Sequence, residues 1–132
     1  VSIIDDISKS LETHFATQWA GRTPIGYENI DDPATAGQSW VDLIIDIAGA
    51  PQVGLPGRFR YAGVFQVDIY VPKGVGTKPA NDYADIIIPW YNGQQVDGIT
   101  LKNLTVYKDR NSYPLWLKLS LKWELYKDNV GS

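Results

Sequence analysis

The chain has 132 residues, 44% hydrophobic and 20% charged, the balance of a single globular domain. It holds no cysteine, which excludes disulfides, thiol nucleophiles and thiolate metal sites. A net charge of −3 excludes a broad basic face for gripping nucleic acid, because such binding rests on neutralising phosphates.

No apolar run is long enough to span a bilayer, so no membrane partner is expected. The chain shows no basic, apolar leader, and secretion is not expected.

Residues 2–19 predict an amphipathic helix. Ile3, Ile4, Ile7, Leu11, Phe15 and Trp19 recur at three- and four-residue spacing and form one stripe. Asp5 and Asp6 suit the positive end of its dipole, and Gly21 and Pro24 close it. TPIGYENIDDP then reads as a short extended segment followed by a turn. From Trp40 to Ile47 the chain alternates as a strand. Val41, Leu43, Ile45 and Ile47 share one face; Trp40, Asp42, Ile44 and Asp46 share the other.

Ala48 to Gly57 is rich in glycine and proline and is expected to be a mobile loop or hairpin tip. Arg58 to Val71 is a long alternating run. Phe59, Tyr61, Phe65, Val67, Ile69 and Val71 line one side, while Arg58, Arg60, Gln66, Asp68 and Tyr70 line the other, turned toward water or a partner. Pro79 to Ile88 predicts a second helix, ended by Pro89. Thr100 to Tyr107 predicts a further strand, with KDRNSYP as its turn.

Leu115 to Tyr126 is the clearest strand: leucines and Trp123 on one side, Trp116, Lys118, Ser120, Lys122, Glu124 and Tyr126 on the other. The tail KDNVGS is expected to fray. Helix, strands, helix, strands is the order of an α+β domain over residues 1–132, a mostly antiparallel sheet packed by two helices.

The loop KGVGTKP, between strand and helix, invites a phosphate-site reading. Yet Gly76-Thr77-Lys78 has the wrong order for a Walker loop, and Pro79 lacks an N–H at the helix start. Nucleotide folds also feed such loops from a parallel, continuously apolar strand, which Gln66, Asp68 and Tyr70 interrupt. The glycines are therefore expected only to reverse the chain. One histidine, His14, supplies too few ligands for zinc. Asp42, Asp46 and Asp68 share a sheet face that reads as solvated rather than as a glycosidic acid pair. No catalytic residue, cofactor or metal site is expected. Trp40, Trp116, Tyr70 and Tyr126 suit either sugar stacking or a protein interface, where aromatics and arginine carry the energy.

TPIGYEN followed by GVFQVDIYVPKGVGTKPANDYADII resembles a family of tail terminator (tail completion) proteins of long-tailed bacteriophages. The resemblance runs from the first helix to Ile88, is most telling over Gly63–Asp85, and is one of pattern alone in the C-terminal third. It implies a subunit of a six-membered homo-oligomeric ring on the head-proximal end of the tail tube. Such a ring stops tube growth, meets the tail tube protein and the head–tail connector protein, and passes DNA without holding it; it belongs to the virion and is assembled in the bacterial cytoplasm.

In that setting an acidic wall lets a duplex slide, where lysines would bind its phosphates. Asp42, Asp46 and Asp68 are the expected lumen residues. Arg58, Arg60, Lys73, Lys78, Trp116 and Tyr126 are the expected ring or connector contacts. A tail tube subunit, a head–tail adaptor and a carbohydrate-binding module are the alternatives.

Overall fold

The computed structural model describes residues 3–27, 38–49, 58–74, 76–109 and 116–130. Helix α1 spans Ile3–Trp19, and its four-residue spacing buries Ile7, Leu11, Phe15 and Trp19 completely. Burial along the stripe begins only at Ile7, so Ile4, expected inside, is 49% exposed. Ala20 and Gly21, with φ of 53° and 74°, end the helix in the left-handed region. Arg22 then donates to the carbonyls of Gln18 and Trp19 at 2.8 and 3.0 Å, satisfying acceptors that the last turn leaves open.

Six strands form one sheet in the order β1-β2-β3-β6-β5-β4. Strands β1 (Ile25–Tyr27) and β2 (Trp40–Gly49) are parallel; every other neighbouring pair is antiparallel. Strands β3 (Arg58–Pro72) and β6 (Trp116–Val130) lie at its centre, paired along fifteen residues without a register shift. Helix α2 (Lys78–Tyr91) falls between β3 and β4 (Gln95–Val96), and β5 spans Ile99–Asp109. The chain is an α+β domain with a mostly antiparallel sheet.

Several boundaries differ from expectation. Strand β2 runs two residues past Ile47 to Gly49, and the rest of the expected loop, residues 50–57, lies outside the described residues. The expected turn KDRNSYP begins later, because Lys108 and Asp109 belong to β5, and residues 110–115 lie outside the described residues. Most of the tail expected to fray is strand: β6 continues to Val130, with Lys127 to Val130 paired with Tyr61 to Arg58 of β3, and residues 131–132 lie outside the described residues. Helix α2 passes through Pro89 to Tyr91. Proline removes the bond that would reach the carbonyl of Asp85, an exposed position that water can serve. Burying Tyr91 then carries the helix one more half-turn. Finally, Gln95–Val96 forms a short strand that returns through Asp97-Gly98, both at positive φ, onto Ile99–Thr100.

Buried residues of both helices join one core cluster with the odd-numbered positions of β2, β3 and β6. Tyr91 is its hub. Its ring lies 4.7 Å from Phe65 and 5.5 Å from Trp123, and its hydroxyl donates to the carbonyl of Leu11 at 3.0 Å, tying α2 to α1. Gly63 marks the closest backbone approach. A Cβ there would collide with the carbonyl oxygen of Asp46 on the next strand, where the β2–β3 register begins to shift.

Two outcomes follow. Gly63→Ala forces β2 and β3 apart and lowers unfolding stability by about 2 kcal/mol or more in urea titration. Burial holds the Tyr91 phenol far above its ordinary value. An unfolded tyrosine ionises near pH 10 while the folded one stays neutral, so this contribution is intact below about pH 10 and falls above it. Stability measured from pH 9 to 11 should drop less in Tyr91→Phe than in the parent chain.

Candidate assembly interface

The even-numbered positions of β2, β3 and β6 face away from the core cluster, and they are largely closed by their own side chains. Trp40 and Tyr70 are cross-strand partners stacked at 4.1 Å with a 5° interplanar angle, leaving them 5% and 4% exposed. Trp116 meets Trp40 edge-on at 6.2 Å and donates from its indole N–H to the carbonyl of Gln38 at 3.0 Å. Two of the four aromatics considered for sugar stacking are thus spent on each other.

Asp42 and Asp68 stand directly opposite across β2 and β3. Like charges so placed repel, and Asp68 is compensated from the other flank. It accepts from Gln66 at 2.7 Å and lies 3.5 Å from the Lys118 ammonium. Asp68 is only 1% exposed, so it cannot line a lumen wall in this fold, contrary to the expectation from its alternation. Gln66 is half-buried and Tyr70 buried, so the outward turn of this strand face holds in direction but not in access. Asp42 is half-buried and Asp46 exposed.

The expected interface residues fall into two groups. Arg60 pairs with Asp128 at 3.0 Å and its guanidinium lies 5.8 Å from the Tyr126 ring; Lys102 approaches the same ring at 4.7 Å. The Tyr126 hydroxyl donates to Glu124 at 2.7 Å, and Asn103 donates to the other carboxylate oxygen. Those two bonds hold the Glu124 carboxyl below its usual range, and the bond to Glu124 raises the Tyr126 phenol. Arg60, Lys102, Tyr126 and Asp128 border a cleft of about 190 Å³.

At the far end of β3, about 40 Å away at the rise of a strand, Pro72 is level with Trp116. Lys73 is exposed there, on the turn in which Gly74 and Gly76 adopt φ of 95° and 82°. Lys78 is exposed and bonded to Asp82 at 2.8 Å. Arg58 is placed by its backbone pairing with Val130; its side chain is outside the described residues. The strand feeding the glycine turn is antiparallel to both neighbours, unlike the parallel strand that precedes a nucleotide loop.

One surface escaped the sequence. Val106 and Tyr107, consecutive in β5, are 51% and 63% exposed, and every residue from Lys102 to Lys108 except Leu104 is exposed. The cause is sheet order. Strand β4 pairs only with Ile99 and Thr100, and Asn103, at φ 58°, sits in a bulge opposite Trp123. Alternation from the buried Leu101 would put Val106 on the outer face; the bulge turns it to the core side, level with Leu121, and no local signal announces that shift. Thr105, Tyr107, Lys118, Ser120 and Lys122, with Gln66, border a groove of about 310 Å³ beside this edge.

No family model matches the chain, and no curated protein matches it. Several solved structures match, and one of those chains superposes with a TM-score of 0.59 at 16% identity, over 95% of this chain and 97% of its own length. A likeness at that identity concerns the fold alone, and it spans the whole domain. No described helix is long and apolar enough to cross a membrane.

Removing the Lys118 ammonium leaves Asp68 buried beside Asp42. Lys118→Ala should therefore cost about 3 kcal/mol in denaturant unfolding. The double change Asp68→Leu with Lys118→Met should cost distinctly less, because no buried charge is stranded.

Proposed function

We propose that this chain is a structural virion protein, a tail terminator, rather than an enzyme. In this reading the two helices cover one face of the sheet and its copies form a six-membered ring. The ring caps the tail tube at its head-proximal end, joins it to the head–tail connector protein, and passes DNA through its hole.

The observation that carries the proposal is the pairing of a self-sealed sheet face with an exposed flank. Trp40 and Tyr70 stack on each other, and Asp68 is held by Gln66 and Lys118, so the face is closed by its own side chains. Strand β5 meanwhile presents Val106 and Tyr107 to its surroundings. Consecutive exposed apolar residues on an edge strand are a hazard unless another chain meets them. The GVFQVDIYVPKGVGTKPANDYADII resemblance supplies the setting, and a flat, shallow surface suits protein contact better than a small ligand.

With Asp68 buried, the acidic wall of the hole falls to Asp42 and Asp46. Arg60 and Tyr126 at one end of β3 and Lys73, Lys78 and Trp116 at the other give the ring two contact zones. One suits the tube and the other the connector, as a subunit between two partners requires.

Negative-stain electron microscopy of the purified chain, alone and with tail tube protein, tests this. Discrete rings that halt tube growth are expected. Open-ended tubes made by the chain itself would make it a tube subunit, and binding to connector without tube would make it an adaptor. Tryptophan emission that shifts with a sugar would instead favour a carbohydrate-binding module.

A further inference from the structure

We infer that strand β5 of one copy meets the β1–β2 flank of the next, head to tail, as the seam between copies of this chain; its use in a closed ring rests on the terminator reading above.

The register carries the argument. Sheet order puts β1 at one flank and β5, with its short partner β4, at the other. Partner residues can be followed straight across. Tyr27 is level with Leu43, Val67, Leu121 and Val106. Asp46 is level with Val64, Glu124 and Lys102. Rotating one copy about an axis along the strands therefore brings its β1–β2 flank to its neighbour's β5 flank at equal height.

Each row then ends on a matching group. On the core-side face, the half-exposed Val106 meets the half-buried Tyr27 ring of the next copy. On the opposite face, the exposed Lys102 stands level with the exposed Asp46. Strands β1 and β2 carry Asp42 and Asp46 and no basic residue, whereas β5 carries Lys102 and Lys108 against a single carboxylate at its end, Asp109, and is backed by Lys122 of β6. Pairing β5 with itself would gather lysines on both sides, and like charges across a strand pair repel. The next copy's acidic flank is the occupant that the charges favour.

Gly26 is buried, so the contact is one of side chains across the flank rather than a ladder continued through that residue. Two unlike patches make a heterologous contact, the kind that closes into a ring when the rotation allows. Asp46 then stands at the edge of the acidic wall, where that wall meets the seam.

The test uses the full chain, light scattering after size exclusion, and electron microscopy. Val106→Asp should leave circular dichroism unchanged and yield monomer. Lys102→Glu and Asp46→Lys should each raise the concentration needed for half-assembly by roughly tenfold, the scale of one charged contact. An equal mixture of those two single variants should assemble again, because every junction can then place glutamate against lysine or lysine against aspartate. Assembly of Val106→Asp at the parent concentration, no recovery in the mixture, or a parent chain that stays monomeric with and without tube protein would each overturn the seam. Rings that ignore these changes would sink the seam and leave the terminator reading standing. Changes that act as expected on an open tube would keep the seam and sink that reading.

Discussion

The central pairing of β3 with β6 is the constraint on which the rest depends. Fifteen residues on each strand stay in register from Arg58 opposite Val130 to Pro72 opposite Trp116. A slip of one residue would turn Phe65, Val67 and Ile69 out of the core and Asp68 into it. Nothing in such a ladder is individually strong. Its specificity comes from both faces at once: Phe65 stacks on Trp123 beneath, while Asp68 finds Lys118 above. Each face penalises the same slip for a different reason, one by lost apolar burial and one by a stranded charge.

From that ladder the two flanks acquire different characters. On one side β2 continues the sheet with a Trp40–Tyr70 stack and two carboxylates; on the other β5 continues it with lysines and a bulge. Long paired strands hold these flanks rigidly at fixed heights, so a surface on one can be matched to a surface on the other. A subunit meant to repeat around an axis needs this kind of rigid, two-ended asymmetry. A binding module built around an aromatic platform would instead leave Trp40 and Tyr70 open, and here they cover each other.

Much of the architecture was legible because period two over long runs admits one interpretation. Leu117, Leu119, Leu121, Trp123 and Leu125 are buried as their alternation predicts, and Ile7, Leu11, Phe15 and Trp19 follow the helical period. The Val96-Asp97-Gly98-Ile99 hairpin was also legible, since Asp-Gly between β-formers is a strong turn signal. Its first strand, at two residues, is too short to show an alternation of its own. Pro89 misled for a physical reason: a local rule about helix breaking was outweighed by the burial of Tyr91 two residues later. Ile4 misled likewise, being right for the stripe and wrong for its place at the end of it.

By itself the sequence determined the element types, the inward face of each long strand and the absence of thiol chemistry, because these depend on side-chain period and composition alone. It could not determine strand order, and strand order decided everything about the surface. That β4 protects only two residues of β5, that Asp68 lies beneath Lys118, and that Asp46 and Lys102 share a level are results of which strands become neighbours. Neighbourhood across a sheet joins residues as far apart as Arg60 and Asp128, and no local pattern encodes it. The exposed or buried fate of an outward-facing residue is settled by what the next strand places beside it.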